Sequence, residues 1–214
     1  MPSDLRILGF DTSAAHCAAA LLSGDSLVAQ ASEDMARGQA ERLIPLLEDV
    51  LRQGGLGWRD LDALAVGVGP GNFTGIRIAV ATARGLALGL GIPAIGVSVF
   101  EARAEGLERP LVVVEEARRD EGYVQAFTPD PGPPRIVARA NVTELGSAPL
   151  TGSAASALDA AICQSAGASP YSLAEAIARV AARRATGPQP RPAPLYVRAA
   201  DAAPPSDPAP RILP

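Results

Sequence analysis

Residues 67–90 read GVGPGNFTGIRIAVATARGLALGL, and the rest of the chain is organised around this stretch. An apolar run at 63–68 leads into it, glycines recur in the loop 69–75, and a long segment of small residues follows. Glycine tolerates the positive φ angles of a sharp turn, so this order predicts a buried strand, a tight loop and a helix. Thr74 or Asn72 is the predicted N-cap, because a side-chain oxygen there accepts a hydrogen bond from a free backbone N–H.

The loop 69–75 has two interpretations. A glycine loop at a helix N-terminus presents free N–H groups and the positive end of the helix dipole, so it could bind an anion. The alternative is a compact turn with no ligand. The last glycine lies one residue too far for G-x-G-x-x-G, and a Walker A loop needs a lysine, which the chain lacks. The candidate residues for nucleotide or anion binding are Asp11, Thr12, Gly69, Gly71, Asn72 and Thr74.

The helix predicted after the loop carries a stripe with almost no side chain, formed by Ala81, Gly85 and Gly89 at every fourth position. A glycine inside a helix costs about 1 kcal/mol relative to alanine, so the stripe predicts that another backbone lies very close. That neighbour is either the sheet of this chain or a second protein. A membrane span is not expected, because Arg77 and Arg84 interrupt the segment and it is shorter than about 20 apolar residues.

Composition excludes several classes of protein. The 214 residues suit one large domain or two small ones, and a hydrophobic fraction of 48 % is ample for a core. All 19 basic residues are arginine, against 23 acidic ones, and they form no patch interleaved with aromatics. Independent binding of nucleic acid is therefore not expected. Two distant cysteines suit a reducing cytosol, and Asp4 and Arg6 interrupt any apolar leader, so a soluble cytoplasmic protein is predicted.

The residue inventory also excludes much chemistry. Without lysine there is no Schiff base and no attachment of pyridoxal phosphate. His16 is the only histidine, so no H-x-x-x-H zinc site can form, and no metal site is predicted. A Ser-His-Asp triad would have to use His16. The expected role of His16 is instead that of a solvated histidine at a strand edge.

The same order of elements occurs twice along the chain. A short strand ends in an acid, two further strands follow as a meander, and a later strand leads into a glycine turn. The predicted strands are 6–10, 17–22, 26–31, 111–114, 123–127 and 135–142, with a strand and turn at 92–100 and a short strand at 148–150. The acids Asp11 and Glu116 are 105 residues apart, which predicts an internal duplication.

Three helices are predicted beside the one in the central stretch, at 39–53, 154–164 and 172–185. The helix at 39–53 is amphipathic, since its apolar residues recur at helical spacing. Pro45 lies inside that pattern, so it either occupies the first turns or kinks the helix. The segment 187–214 contains nine prolines. Within it only 195–197 is apolar enough to dock, and the residues after 199 are predicted to be disordered.

The duplicated unit resembles the actin/hexokinase/Hsp70 ATPase fold, so the expected fold class is α/β with tandem ribonuclease H-like domains, the second one reduced. The expected boundaries are a first domain at 1–102, a smaller second domain at 103–198 and a tail at 199–214. More specifically, the chain resembles the TsaB family, also called YeaZ. The matching motifs are ILGFDTS at 7–13, ERLIP at 41–45, GPGNFTGIR at 69–77, IP at 92–93, AR at 117–118 with Tyr123, and PLYVR at 194–198. The motif at 69–77 is the most specific of these.

Some positions depart from the family pattern. The family usually has serine at the position of Asn72, histidine at Gln39 and aspartate at Glu116. The catalytic relative TsaD carries an H-x-x-x-H metal pair in the helix that matches 39–53. Because this chain has Gln39 and Leu43 there, the resemblance implies neither a metal site nor a transferase centre.

The resemblance implies a non-catalytic partner in tRNA modification. TsaB-like proteins pair with TsaD, and with the ATPase TsaE, to place a threonylcarbamoyl group on adenosine 37 of tRNAs that read ANN codons. The resemblance assigns no certain cofactor to the chain itself; ATP or ADP could bind through the partner complex, and tRNA is contacted only indirectly. The surface that pairs with TsaD is also expected to form a homodimer when the chain is alone. The expected interface residues are Leu43, Leu47, Val50, Leu51, Ile78, Ala81, Thr82, Gly85 and Gly89.

Two other functions fit the same fold. An ATP-dependent small-molecule kinase would need Asp11 and a second acid, Glu116 or Asp120, to face a nucleotide across a cleft. A metallopeptidase of the glycoprotease type is disfavoured by the single histidine.

Overall fold

The computed structural model describes residues 5–118, 120–128, 131–155 and 165–198. Its first sheet has five strands in the order β3-β2-β1-β4-β5. The strands are β1 (Arg6–Asp11), β2 (His16–Ser23), β3 (Ser26–Asp34), β4 (Ala63–Gly67) and β5 (Ala94–Val97). β1 to β3 form an antiparallel meander, whereas β4 and β5 run parallel to β1. The helices between them are α1 (Gln39–Gln53), α2 (Phe73–Leu90) and α3 (Val99–Ala104), with a 3₁₀ turn at Trp58–Asp60.

The second sheet repeats this topology on a smaller scale. Its order is β8-β7-β6-β9, formed by β6 (Leu111–Glu116), β7 (Glu121–Phe127), β8 (Arg135–Ala138) and β9 (Leu150–Thr151). β7 and β8 complete an antiparallel meander with β6, and β9 pairs parallel to it. A 3₁₀ segment at Arg139–Leu145 lies between β8 and β9, where the first unit has α1. The predicted fold class, with a reduced second unit, is confirmed.

Alternation along β1 explains how the first sheet is covered. Leu8 and Phe10 point to the face that carries α1 and α2, and Ile7 points to the opposite face, because neighbouring residues of a strand alternate. The opposite face carries α4 (Leu173–Ala182). A Cβ at Gly9 would lie 2.6 Å from the Ala174 carbonyl oxygen, so glycine is what lets α4 approach β1 this closely.

The predicted helix at 172–185 is thus present as α4, although the boundary expected at 102/103 separates it in sequence from the sheet that it covers. Residues 165–167 still pair with β9 of the second sheet, and the chain then returns to the first unit with α4. Of the predicted helix at 154–164, residues 156–164 lie outside the described residues, as does the predicted tail 199–214. The strand predicted at 135–142 ends at Ala138 and continues as 3₁₀ helix. Pro45 lies in the second turn of α1, which begins at Gln39.

Candidate functional site

The loop after β4 packs closely against the turn that follows β1. The Asn72 N–H donates to the Ser13 carbonyl at 2.6 Å, and the Thr12 hydroxyl donates to the Gly75 carbonyl at 2.7 Å. A Cβ at Gly71 would lie 2.2 Å from the Ser13 carbonyl oxygen, and one at Gly75 would lie 1.8 Å from that of Thr12. Side chains at 71 and 75 would therefore force the two segments apart, so these glycines fix how α2 sits on β1.

Asn72 is the N-cap of α2. Its Oδ1 accepts a hydrogen bond from the Gly75 N–H at 3.0 Å, and its carbonyl accepts one from the Ile76 N–H at 2.9 Å. Of the two residues predicted for this role, the structure selects Asn72, and Thr74 lies exposed in the first turn. The N–H groups of Asn72, which donates to Ser13, and of Gly75 have no partner within a regular helix and are already bonded in this way, so fewer remain for an anion.

The six residues predicted for nucleotide or anion binding lie near one another, at the junction of β1, β4 and α2. The junction is tightly filled, since Asp11 and Thr12 are fully buried. Gly69, at a φ of +96°, accepts a hydrogen bond from the Val99 N–H at 2.8 Å, and a Cβ there would lie 2.6 Å from Ile76 Cδ1. These contacts show that β1, β4 and α2 pack tightly against one another here. Ligand binding at this junction stays a prediction.

Asp11 is the most constrained polar group of this junction. Its Oδ1 accepts hydrogen bonds from the backbone N–H and the hydroxyl of Ser13, and lies 2.8 Å from His16 Nε2. Its Oδ2 is buried without a hydrogen-bond partner among the described residues, and a Cβ at Gly67 would lie 1.9 Å from it. The expectation of a solvated His16 is wrong, because the hairpin folds its imidazole back onto Asp11 and leaves it mostly buried.

In the second unit the buried acid is Glu115 and not Glu116. Glu115 is 8 % exposed; its carboxylate accepts hydrogen bonds from the Ser153 hydroxyl at 2.9 Å and the Ser153 N–H at 3.1 Å, and from Arg103 Nε at 3.2 Å. Glu116 and Asp120, the acids named for a kinase cleft, are both exposed. Because neighbouring residues on a strand point to opposite faces, counting residues between strand ends selected the wrong neighbour. The Gly152-Ser153 pair after β9, which resembles the glycines after β4, was the available signal.

Helix α2 is apolar and largely uncovered. Only 28 % of its residues are buried, and Leu88 is 85 % exposed. No atom of the described residues lies within 4 Å of a Cβ built at Gly85 or Gly89. The predicted interface residues on this helix are exposed or partly exposed: Ile78, Ala81, Thr82, Gly85 and Gly89. The sheet of this chain is therefore not the close neighbour of the glycine stripe.

The interface residues predicted on α1 are buried, which corrects that part of the expected surface. They are Leu43, Leu47, Val50 and Leu51, and all belong to the core between α1 and the first sheet. The physical reason is the amphipathic pattern itself, since the apolar side of α1 is the side that covers β1 and β2. The exposed residues of α1 near its buried side are Ile44, Pro45 and Glu48.

Burial in the same core raises the pKa of the Cys17 thiol to about 11.

The segment that follows α4 crosses the start of α2. The Leu195 N–H donates to the Val68 carbonyl at 2.7 Å, and Arg84 Nε donates to the Pro192 carbonyl at 2.7 Å. The rings of Tyr196 and Phe73 stack with centroids 5.1 Å apart. The docking predicted for 195–197 is thus present, whereas the role of Phe73 and Pro192 was not predicted.

Comparisons with known proteins agree with this geometry. The family model described as "TsaD: tRNA N6-adenosine threonylcarbamoyltransferase" matches residues 31–129. The tRNA threonylcarbamoyladenosine biosynthesis protein TsaB of Escherichia coli K12 is 37 % identical over 131 residues, covering 59 % of this chain and 56 % of that protein. The chain spans about half the length of the curated relatives it matches.

Two solved structures extend the likeness to three dimensions. YeaZ from Pseudomonas aeruginosa is 32 % identical, with a TM-score of 0.55, and the match covers 63 % of this chain and 68 % of that one. A protein with similarity to peptidase YEAZ from Pseudomonas aeruginosa has a TM-score of 0.71 at 26 % identity, covering 91 % of this chain and all of that one (100 %).

The duplicated sheet, with an acid buried at the end of the first strand of each unit, defines a protein of the actin-like ATPase superfamily. Within that superfamily the GPG-x-FTG-I-R junction and these likenesses place the chain more narrowly. It belongs to the TsaB (YeaZ) family.

Proposed function

We propose that the chain is a non-catalytic subunit of the machinery that forms N6-threonylcarbamoyladenosine at position 37 of tRNAs reading ANN codons. In this proposal it pairs with a TsaD-like catalytic subunit in the cytoplasm, with a TsaE-like ATPase as a further partner, and contacts tRNA only through them. The names of its relatives support the pathway, since the E. coli relative is a threonylcarbamoyladenosine biosynthesis protein and the matching family model is that of TsaD.

The observation that carries the proposal is the open face of α2. An apolar helix with Leu88 in water is unfavourable, and burying such a surface contributes roughly 25 cal/mol per Å². Ala81, Gly85 and Gly89 leave a groove without side chains, so a helix of a partner could approach the backbone of α2 closely. The natural occupant of this face is therefore a helix with larger apolar side chains.

Among the described residues α2 is also the one helix long and apolar enough to cross a membrane. Its other side, however, carries Ile76, Ala79 and Ala83 into the core of the first unit, and Arg84 is bonded to the chain that crosses it. These contacts tie α2 into the sheet, so a protein is the occupant that we propose.

The same face would pair two copies of the chain when the partner is absent. A twofold contact presents the same patch on both copies, so α2 would lie against α2. The homodimer and the complex with the TsaD-like subunit would then exclude each other, because both cover Leu88 and Gly85.

The non-catalytic assignment is supported by the positions where the resemblance places the metal pair of TsaD. Gln39 and Leu43 occupy them, and Leu43 is fully buried against the first sheet. Neither residue could supply the imidazole nitrogen that such a site requires.

Co-purification with the TsaD-like subunit of the same cell tests the proposal. Gly85→Leu fills the groove, whereas Gly187→Leu is a matched control, since Gly187 also has open space around it and no positive φ. In cells lacking the chain, the wild type and Gly187→Leu should restore modification of adenosine 37, and Gly85→Leu should not. Equal binding and equal modification by both variants would contradict the proposal.

The kinase alternative rests on one observation, the unpartnered Oδ2 of the buried Asp11. The acids named for its other side, Glu116 and Asp120, are exposed, and the buried acid of the second unit, Glu115, is engaged by Ser153 and Arg103. Calorimetry of the isolated chain with Mg-ATP distinguishes the two functions, since micromolar binding with turnover would favour the kinase.

A further inference from the structure

A cavity of about 170 Å³ lies on the face of the first sheet opposite α2, where the start of α4 meets β2 and β3. One water needs only about 10–15 Å³ of such volume, so the cavity has room for a small ligand. Its polar lining comes from four elements of the chain: His16 on β2, Gln30 and Ser32 on β3, Arg103 on α3, and Ser172 at the start of α4.

The ionisable groups that line this cavity, His16 and Arg103, are both basic. Each contacts a buried acid: His16 Nε2 lies 2.8 Å from Asp11 Oδ1, and Arg103 Nε lies 3.2 Å from Glu115 Oε1. Neither acid lines the cavity. Asp34, the cross-strand neighbour of His16, is exposed and is not part of the lining.

These contacts leave polar atoms of both side chains unused. Within the part of the chain that the structure describes, His16 Nδ1 and the two terminal nitrogens of Arg103 have no hydrogen-bond partner. A guanidinium held at Nε by a carboxylate keeps its terminal N–H groups in a fixed plane, and that arrangement suits recognition of an oxyanion.

The start of α4 adds backbone donors on the same side. Ser172 is the N-cap: its oxygen accepts from the Glu175 N–H at 3.3 Å, and its hydroxyl donates to Gln30 Oε1 at 2.7 Å. The next two residues, Leu173 and Ala174, both line the cavity. Their N–H groups belong to the first turn of α4, where the helix dipole favours a negative charge.

We propose that this cavity binds a small oxyanion between Arg103, His16 and the first turn of α4, with inorganic phosphate as its simplest ligand. The guanidinium supplies the fixed charge, the imidazole Nδ1 can accept from the O–H group that phosphate retains near neutral pH when Nε2 donates to Asp11, and Ala18 closes the apolar side. The site lies on the opposite face of the sheet from the glycine groove of α2. Phosphate binding in this cavity and pairing with a TsaD-like subunit are therefore separate properties, and a variant can lose one while it keeps the other.

The single histidine of the chain provides a direct reporter. We expect the His16 imidazole resonances to shift saturably when inorganic phosphate is added to the full chain at constant pH and ionic strength, with a dissociation constant in the millimolar range. Arg103→Gln should weaken that binding about tenfold, because it removes a charge-assisted contact. A shift that does not saturate, or that chloride reproduces, would overturn the proposal.

Arg103→Gln also removes a partner of Glu115, so a loss of binding in that variant could come from misfolding. Two variants on β3 test the site without that ambiguity. Ser32→Asp places a carboxylate at the lining, and Ser26→Asp places the same charge at the far end of β3; both residues are exposed. Ser32→Asp should abolish the phosphate-dependent shift, and Ser26→Asp should retain the wild-type affinity. Equal phosphate affinities for these two folded variants would exclude the cavity as the site.

Discussion

Helices α1 and α2 lie on the same face of the first sheet, yet they bury their apolar residues to different extents. α1 carries Leu43, Leu46 and Leu47 into the core with essentially no exposure, and its outer side is largely polar. α2 carries apolar residues on its exposed side as well as on its buried side, and 28 % of it is buried. Leu88 is 85 % exposed, whereas the most exposed large apolar residue of α1, Ile44, is 36 % exposed.

The difference shows what each sequence pattern encodes. A strongly amphipathic helix such as α1 needs no partner beyond its own sheet, because its covered side buries every large apolar residue except Ile44. A helix that is apolar on both sides and poor in large side chains has more apolar surface than one sheet can cover. The small-residue pattern, rather than the amphipathic one, therefore marks the surface open to another protein.

The largest expected effect is a difference in how much the apolar residues of the two helices contribute to the free energy of unfolding. Leu47→Ala in α1 should lower the free energy of unfolding by about 2–5 kcal/mol, because it leaves a cavity in the core. Leu88→Ala in α2 should change it by less than about 0.5 kcal/mol, since that side chain is in water. Urea titration followed by circular dichroism measures both. Comparable losses would mean that the α2 face is covered within the chain.

Two glycines of the same helix should respond with opposite signs. Gly75→Ala should destabilise the fold by about 1–3 kcal/mol, because its Cβ would collide with the Thr12 carbonyl. Gly85→Ala should stabilise it by about 0.5–1 kcal/mol through helix propensity, since no atom of the described residues lies within 4 Å of its Cβ. Thermal unfolding of the two variants gives the signs. A destabilised Gly85→Ala would show that this stripe packs against its own chain.

The contact that covers the first turn of α2 is expected to contribute less. Tyr196→Ala removes the stack on Phe73 and the hydrogen bond from Arg77 Nε to the tyrosine hydroxyl, and should cost about 0.5–1.5 kcal/mol. Tyr196→Phe keeps the stack and should lie close to the wild type in urea titration. A loss as large in Tyr196→Phe would assign the stabilisation to the hydroxyl instead.

The smallest effect concerns the polar edge of α1. Hydrogen bonds from Arg42 lower the pKa of Glu33, and those from Arg52 and then Arg42 lower the pKa of Asp49. A lowered carboxylate pKa stabilises the fold above the ordinary pKa, 4.5 for glutamate, and this contribution is lost as the pH falls below it. Arg42→Gln should therefore be less stable than the wild type at pH 7, and the gap should close as both carboxylates protonate. Unfolding titrations across pH 3–7 measure this gap, and a gap that is constant with pH would rule out the ion pairs as its cause.

Much of the fold followed from local sequence. The junction at 69–77 predicted strand, loop and helix in their observed order, because its glycines occupy positions where a Cβ would collide with the turn after β1. The duplication was visible as repeated strands. The return of α4 to the first sheet was not, since an amphipathic helix does not specify which sheet it covers.

The sequence was less informative about side chains. Spacing identified the apolar side of α1 but could not show that this side covers the chain's own sheet, so its residues were expected at an interface. The bond between His16 and Asp11 depends on how a hairpin folds back, and the choice between Glu115 and Glu116 depends on strand alternation relative to the second sheet. These relations are set by tertiary packing, and spacing along the chain does not determine them.

Hydrogen–deuterium exchange on the complex with the TsaD-like subunit tests the central claim most directly. The reference is the chain diluted until it is monomeric, since the proposed homodimer would cover the same face. The account predicts that amide exchange at 78–90 is slower in the complex than in this monomer, while exchange at β8, 135–138, in the second sheet stays unchanged. A complex that forms while exchange at 78–90 remains that of the monomer would contradict it.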